Sequence, residues 1–562
     1  MSFKIIARDE TSKIGEIKLN NKNIIFPNIL FVDTDRFKSP NFSEINLTDI
    51  NKNFDEFLDL ENKEFFFKFN SNILAVKYAN QIFSQTKKFT KIIIENRKKT
   101  FYDSLLYIPS IAEPSNLSIL AYMGIDFFDS TKAIINARKK TMFFCSGNIK
   151  VDDIIENPCT CQICSKLKKK PKEMTFEEIL NHNYNILYSE LKNVRNHIRN
   201  KNLRFLVEKR ITSNTNLTSI LRILDKDYYD YLEEKTPVAS NKTILTTTFE
   251  SMNRPEIKRF QKRVIDRYKK PKNTKILLML PCSAKKPYSL SKSHSLFKKA
   301  LFSSTKNPYV IHDIIITSPL GIVPRELELA YPAKNYDIPV TGTWYEDEKY
   351  MIKTLLNKYL QKNKYEVLIS HLPEGLNDFI KDDVKIDYFT CIKNPTSEES
   401  INNLSEVLKN LSEKYKKIRK SDRIKEDIKE LASYQFGRDI SKKLLEKTNI
   451  KGRYPNLRIM KKNVQLGALV KEKGFISLTL DGGNILFKEK KNFVEIFDDF
   501  DLKGSVFAPG IKNADENIRI GDEVIVIRKN KLVGVGSSLM NGREMKNLNY
   551  GESVNIRHIK KD

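Results

Sequence analysis

The sequence predicts a multidomain α/β protein that ends in a small all-β barrel, and three observations carry that prediction. Its 562 residues exceed a typical domain of roughly 100–200 residues several-fold. KILLMLP, VIHDIIITSP, EVLISHLP and IDYFTCI are apolar runs separated by helix-length stretches, as strands of an open α/β sheet covered on both faces would be. From about Gly504 the chain changes to short apolar runs punctuated by glycine, GSVFAPGI, IRIGDEVIVIRKNKLVGVGSSLMNG and GESVNIRHI, which suits a small β-barrel.

The elements follow in order. Before about residue 150, ILFVDTDRF, ILAVKYANQIF and KIIIENR alternate with polar breaks, consistent with β/α units. SLLYIPSIAEPSNLSILAYMGIDFFDSTKAIINARKK reads strand, loop, helix, strand, helix. Residues 176–207 are expected to be helical, with Ile179, Leu187, Leu191 and Val194 near the helical period. The Lys-rich YKKPKNT at 268–274 is expected to link this part to a new domain. Residues 400–447 read as charged helix, and EKYKKIRKSDRIKEDIKE within them is either an RNA grip or a solvated face. The expected divisions are 1–240, an α/β core at 272–400, a small α+β linking domain at 401–484, and the terminal barrel at 485–562. No internal repeat is visible.

Composition bounds the function. The chain is 40% hydrophobic and 10% aromatic, enough for several cores. It carries 98 Lys+Arg against 70 Asp+Glu, a surplus of +28, which fits either a polyanionic partner or a Lys- and Asn-enriched proteome. No apolar run approaches the roughly 20 residues of a membrane span, and the opening MSFKIIARDETSK lacks the apolar core of a signal peptide. A cytoplasmic protein with no membrane association is expected. Six cysteines are too few for a disulfide scaffold, so clustered ones point to metal or catalysis in a reducing compartment.

Cys159, Cys161 and Cys164 form such a cluster, C-x-C-x-x-C, whose spacing converges three thiolates on one ion. The alternative is three free thiols in a loop. Zinc needs a fourth ligand, and His182, eighteen residues beyond Cys164, competes with His197 for that place. With four protein ligands the Zn2+ is structural, not catalytic.

PCSAKKPYSLSKSH is the second candidate. Cys282 follows directly on the strand KILLMLP, and ligands of open α/β sheets sit beyond the carboxyl ends of strands. Lys285 and Lys286 would favour the thiolate, and Ser291 and His294 add a hydroxyl and a proton carrier. Such a loop could bind phosphate, activate Cys282 or hold an attacking amine; otherwise it is a strand-end loop whose Cys282 packs inward. The acidic run from Trp344 to Glu348 reads as either a seat for a cationic donor or a solvated turn.

PCTCQICSK, the helix holding His182, Asn183 and Glu190, the opening FKIIARDETSKIGEIKL and the stretch YMGIDFFDSTKAIINARK resemble the archaeal tRNA-guanine transglycosylase family. On that match Asp129 corresponds to the nucleophilic aspartate, although its position before STKAIINA equally suits a helix N-cap. The family's upstream Asp-Ser-Gly-Gly base-binding motif has no counterpart here, which implies a reduced (β/α) barrel kept for binding or architecture. Pro281-Cys282, Lys286-Pro287-Tyr288, Ser291 and His294 have the spacing of the signature of archaeosine synthase, a paralogue of that family. ITSPLGIVPRELELAYPAKNYDIPVTGTW and FGRDISKKLLEKTNIKGRYPNLRI extend that likeness, and the terminal barrel resembles the PUA domain, with Gly521-Asp522-Glu523-Val524 and Gly534-Val535-Gly536 matching its pattern.

The resemblance implies an enzyme that adds nitrogen to the nitrile of 7-cyano-7-deazaguanine in the dihydrouridine loop of tRNA. The donor is free lysine or, in an older scheme, glutamine, and a radical S-adenosylmethionine lyase acts afterwards. It implies catalytic roles for Cys282, Lys286, Ser291 and His294 and substrate contacts for Pro287, Tyr288 and Asp129. Cys282 would attack the nitrile with His294 protonating, or the loop would orient the amine for direct addition. A transglycosylase that exchanges the base itself and a non-catalytic tRNA-binding scaffold are the rivals, and a homodimer is compatible with any of them.

Overall fold

The computed structural model describes residues 3–19, 22–50, 66–70, 73–99, 104–167, 169–500 and 502–560. The chain forms two compact units, one of residues 1–236 with 547–551, the other of 237–546 with 552–562.

The first unit opens with an antiparallel sheet, β1 (Phe3–Asp9), β2 (Ser12–Leu19) and β3 (Lys22–Phe26). β4 (Asn28–Leu30), helix α1 (Leu47–Ile50), strands β5 (Phe66–Asn70) and β6 (Ile73–Val76) and helices α2 (Ala79–Ile82) and α3 (Thr86–Lys99) follow. Then come β7 (Leu105–Tyr107), α4 (Leu117–Tyr122), β8 (Phe127–Asp129) and α5 (Thr131–Arg138), in the order expected. The sheet runs β4-β8-β7-β6-β5, with β5 antiparallel at one edge. Leu105, Tyr107 and Phe127 enter one core while Leu106 and Phe128 enter another, the period-two alternation of a sheet covered on both sides. This is the barrel-like domain in reduced form.

A small hairpin, β9 (Thr141–Met142) with β10 (Ile149–Lys150), leads to four helices: α6 (Phe176–Arg199), α7 (Leu203–Arg210), α8 (Thr215–Asp227) and α9 (Tyr229–Lys235). The single helix expected over 176–207 is therefore two. Lys201 between them takes a φ of 54°, a left-handed conformation that stops the first helix.

In the second unit β11 (Ile244–Leu245) and α10 (Pro255–Asp266) precede the central strand β12 (Ile276–Pro281). The YKKPKNT stretch between α10 and β12 is no linker. Tyr268 is 1% exposed and stacks on Tyr359 and His312, so the stretch is a turn inside one unit. α11 (Lys292–Ser304), β13 (Ile311–Thr317), β14 (Gly321–Pro324), β15 (Tyr336–Asp337), α12 (Glu346–Lys362), β16 (Val367–Ser370), α13 (Glu374–Ile380), β17 (Tyr388–Phe389) and α14 (Glu398–Ser412) complete the α/β layer. Its sheet order is β14-β13-β12-β16-β17, parallel except for β14. Ile276, Leu278 and Leu280 pack beneath Phe297 of α11 and Leu404 of α14, while Leu277 and Met279 join the core of Phe260 and Ile352 on the other face. The chain leaves β12 for β13 on one side and returns to β16 on the other, so the carboxyl end of β12 lies at a topological switch point.

α15 (Lys420–Phe436) and α16 (Arg438–Leu444) continue the chain. The charged run that α15 carries is partly internal: Arg423 is buried, donates to the carbonyls of Tyr309 and Ile311 at 3.1 and 2.6 Å, and pairs with Asp427 at 2.7 Å. An antiparallel meander of β18 (Asn449–Arg453), β19 (Asn456–Lys461), β20 (Val464–Val470) and β21 (Phe475–Leu478) follows, then α17 (Leu480–Lys488).

The terminal sheet joins β22 (Phe493–Ile496), β23 (Val506–Phe507), β24 (Ile511–Ala514), β25 (Glu523–Arg528), β26 (Lys531–Ser538) and, after α18 (Gly542–Asn547), β27 (Glu552–Ile559). β22 lies before the glycine-punctuated stretch that begins at Gly504 but within the expected 485–562, and pairs in parallel with β25. Gly521 turns with a φ of 90°, as the glycine pattern suggested. Gly536 serves a different purpose, since a Cβ there would lie 2.2 Å from the Asn555 carbonyl oxygen. Its smallness admits the neighbouring strand.

Candidate functional site

Two constellations carry chemistry. The first begins where Thr175 caps α6, accepting from the Glu178 amide at 3.2 Å while the Glu178 carboxylate accepts from the Thr175 amide at 2.7 Å. Seven residues beyond the cap, His182 is fully buried. Its Nε2 donates to the Phe143 carbonyl at 3.0 Å, which turns Nδ1 to the thiols as the ring's ligand atom, 3.6 Å from the Cys161 Sγ and 3.3 Å from the Cys164 Sγ. The ligand atoms of Cys159, Cys161, Cys164 and His182 all lie within 4.8 Å of one another. Tetrahedral zinc with bonds of about 2.3 Å to sulfur and 2.0 Å to nitrogen separates such ligands by about 3.5 Å, so the donors present fit a metal ion.

Second contacts hold this geometry. Asn183 accepts from the Phe143 amide at 2.8 Å and donates to the Thr141 carbonyl at 3.1 Å, fixing the strand end whose carbonyl orients His182. Glu190 receives the Arg210 guanidinium at 2.8 and 3.0 Å and the Cys145 thiol at 3.3 Å. Burial, with the Glu190 charge added, pushes that thiol up to about 12, which keeps Cys145 protonated and apart from the ligand set. Hydrogen bonds from Cys159 and Cys164 hold the Cys161 thiol far below its usual range. His197 lies four turns along α6 and faces the Asn202 carbonyl at 3.3 Å, so the structure brings His182, not His197, to the thiols.

The second constellation surrounds the carboxyl end of β12. Cys282 is half-buried in the loop that follows. Burial raises its thiol above the ordinary value, opposed by a hydrogen bond with Thr317 and by the Lys286 charge. Burial lowers Lys286 in turn, opposed by Cys282 and Asp337, and its ammonium sits 4.0 Å above the Tyr336 ring. Tyr288 and Tyr336 are buried, and their hydroxyls lie 2.5 Å apart. Tyr336 continues to the Thr317 hydroxyl at 2.6 Å, and Thr317 donates to the Ser318 carbonyl at 2.9 Å. The single Thr317 proton can go to the Ser318 carbonyl or to the Cys282 sulfur, which couples the tyrosine pair to the thiol. Cys282, Lys286 and Tyr288 are thus brought together, joined through a cis peptide by Pro287, with Tyr336 and Thr317 as partners.

Ser291 and His294 stand apart from this group. Ser291 caps α11, its hydroxyl accepting from the His294 amide at 3.2 Å. The His294 ring is enclosed: Nε2 donates to the Pro281 carbonyl at 3.0 Å, and Nδ1 accepts from Arg325 Nη2 at 2.8 Å. Burial and the Arg325 charge lower its pKa to about 3. The expected proton carrier is a neutral bracket that ties α11 to the end of β12.

Arg325 and Glu328 went unread in the sequence. Arg325 also donates to Asp313 at 2.6 Å and to Glu328 at 3.1 Å. Glu328 accepts from the Ser289 amide at 2.9 Å and from the Tyr454 hydroxyl at 3.2 Å, so one carboxylate braces the loop against the β18–β19 turn. The segment GIVPRELELAYP was the only signal for them.

Asp129 ends β8 at 1% exposure. Its oxygens accept from the Tyr107 hydroxyl and the Ser110 and Thr131 amides at 2.7–2.8 Å, and burial raises its carboxyl. These bonds brace the turn into α5. In the acidic run, Trp344 packs on Phe379, Tyr345 caps α12, and Glu346, Asp347 and Glu348 form its first turn, where Glu346 pairs with Lys349 at 2.7 Å. No helix among the described residues is long and apolar enough to cross a membrane.

Comparison with known proteins follows these modules. Residues 66–216 match the family model for queuine tRNA-ribosyltransferase, and 257–408 match a domain of unknown function. Residues 426–491 match the patch-forming domain C2 of tRNA-guanine transglycosylase, and 500–560 match the PUA domain. The chain is 36% identical to an archaeosine synthase subunit alpha from Methanosarcina acetivorans over 87% of its length and 80% of that protein. It is 36% identical to an archaeosine synthase from Haloferax volcanii, over 87% and 83%. Likeness to a tRNA-guanine(15) transglycosylase from Methanosphaera stadtmanae is lower, 28% over 81% and 67%.

Proposed function

The chain belongs to the archaeosine synthase family, and from that premise we propose that it adds the side-chain amine of free lysine to the nitrile of 7-cyano-7-deazaguanine in the dihydrouridine loop of tRNA. At the coarser level it is a tRNA-modifying transferase of archaeosine biosynthesis. The observation that carries the finer reading is the pairing of a thiol, Cys282, with the Lys286 ammonium at the switch point of an α/β sheet.

A nitrile carbon is electrophilic, and its nitrogen must gain a proton as the new bond forms. In the covalent route Lys286 takes the Cys282 thiol proton as the sulfur bonds to that carbon and passes it to the nitrile nitrogen, giving a neutral thioimidate. The lysine amine then adds to the same carbon, the thiol leaves, and an amidine remains. In the direct route the amine adds without the thioester-like stage, and Cys282 only shapes the pocket. His294 supplies no proton in either, because both of its nitrogens are engaged. Lys286 is the better proton carrier: it is half-buried beside the thiol, and burial eases the loss of its proton. Tyr288, Tyr336 and Thr317 link by hydroxyl hydrogen bonds to the neighbourhood of the sulfur.

The other modules support binding. The PUA domain would hold the tRNA, and the four-ligand site would hold Zn2+ as a closed structural centre that fixes the loop 159–164 on α6. A radical S-adenosylmethionine lyase would consume the lysine adduct. Base exchange is disfavoured, because Asp129 is enclosed by its own hydrogen bonds.

The test is to incubate the purified chain with nitrile-bearing tRNA and either lysine or glutamine, then to weigh the released nucleosides. A mass increase equal to one lysine is expected with lysine alone. An ammonia-sized increase with glutamine, or guanine exchange in unmodified tRNA, would replace this reading.

A further inference from the structure

Residues 267–312 contain eleven Lys and Arg and no Asp or Glu, although about one residue in eight of the whole chain is acidic. Within that stretch α11 turns Lys292, Lys298 and Lys299 to solvent, with Lys285 in the loop before it and Lys306 just beyond its end. Among the described residues none of these five has a carboxylate partner. Neighbouring surfaces of the same unit behave differently: Lys349, Lys353, Lys362 and Lys381 each face an acid. The opposite side of α11, through Phe297, Ala300 and Leu301, is buried on the sheet. The lysines therefore lie on one outward face, about 10 Å separating Lys292 from Lys299 at a rise of 1.5 Å per residue.

That face also carries exposed apolar side chains. Leu296 is 42% and Phe302 45% exposed, and the Phe302 ring stands edge-on to Tyr309 at 5.8 Å. Uncompensated ammonium groups interleaved with an exposed aromatic ring match a polyphosphate backbone with stackable bases. An acidic protein partner would be matched by the charges but gives no reason for the ring.

We propose that this face of α11 is a phosphate-docking surface that seats the backbone of the substrate tRNA beside the Cys282 loop, from which α11 directly follows. The proposal rests on tRNA being the substrate and adds a second RNA contact, separate from the PUA domain.

The experiment uses the full chain and a fluorescently labelled tRNA transcript, with affinity read by anisotropy across a salt series. Lys298→Glu/Lys299→Glu is compared with Lys358→Glu/Lys364→Glu, a matched pair of exposed lysines at the end of α12 that controls for net charge. The α11 pair is expected to weaken binding at least tenfold and to flatten the log–log salt slope by roughly one to two, at roughly 0.7–0.9 per lost phosphate contact. The milder Lys292→Gln/Lys306→Gln should shift both in the same direction with an unchanged thermal melt. Equal effects from both reversal pairs, or no change from the α11 pair, would overturn the proposal. So would intact tRNA affinity with turnover lost only when the lyase is present, which would assign the face to a protein. If wild type binds tRNA through these lysines yet forms no lysine adduct, the docking surface stands and the proposed chemistry fails.

Discussion

His294 is 2% exposed, donates from Nε2 and accepts at Nδ1, and burial with the Arg325 charge holds its pKa at about 3. An unfolded histidine titrates near 6.5, so between pH 6.5 and 3 the unfolded chain binds a proton that the native ring refuses. Its contribution to stability is complete above about pH 6.5 and is lost as pH falls towards 3. The expected outcome is a ring nitrogen NMR signal for His294 that does not move between pH 5 and 8; a midpoint near 6.5 would restore it as a proton carrier. Cys282 and Lys286 make the complementary prediction. On the covalent route Cys282→Ser abolishes turnover with tRNA affinity intact, and wild type without lysine traps a protein–RNA adduct. On the direct route Lys286→Ala costs more than Cys282→Ser, and no adduct forms. Arg325→Lys keeps the charge but not the fork that reaches Asp313, Glu328 and His294 together, so turnover is expected to fall about 10–100-fold, measured under saturating tRNA.

At the scale of elements, the metal loop and α6 form one device. Cys161→Ser is expected to lose the metal, measured by elemental analysis, whereas His197→Ala should retain it in full. Loss of metal in the second variant would refute the ligand assignment. The cluster was legible because its three thiols are close in sequence and its histidine lies on the helix that follows. The strands of the α/β layer were legible for a similar reason: β12 is one uninterrupted apolar run. What stayed hidden depends on distant pairs. Nothing local marks Lys201 as the end of α6, and nothing near His294 announces that Arg325 will occupy its second nitrogen. Glu328 meets Tyr454 across more than a hundred residues, which no periodicity encodes. Even the charged run of α15 hides an inward Arg423, because a buried guanidinium looks like a solvated one until its carbonyl partners are known.

Across the whole molecule, the two units should respond differently to the same insult. Chelation of the metal is expected to speed hydrogen exchange in peptides from residues 141–210 and to leave those from 276–317 unchanged; uniform acceleration would show that the site supports more than its own unit. The second unit should resist subdivision. One apolar core runs from Ile257 and Phe260 through Leu457 and Ile476 to Leu486, Ile525 and Val535. A truncation after residue 485 cuts through α17 and exposes that core, so it should lower the melting temperature of what remains, and point variants are the cleaner probe of RNA binding by the terminal domain.

The acid-free stretch that supplies α11 has an analytical consequence. A protease that cuts after Asp and Glu finds no site between Asp266 and Asp313, so it releases Cys282, Lys286 and the α11 lysines on one basic fragment, residues 267–313. A nucleoside joined to Cys282 would travel with that fragment alone. A single mass shift, followed by fragmentation to the modified sulfur, would then report the covalent intermediate against a background of shorter, acid-terminated peptides.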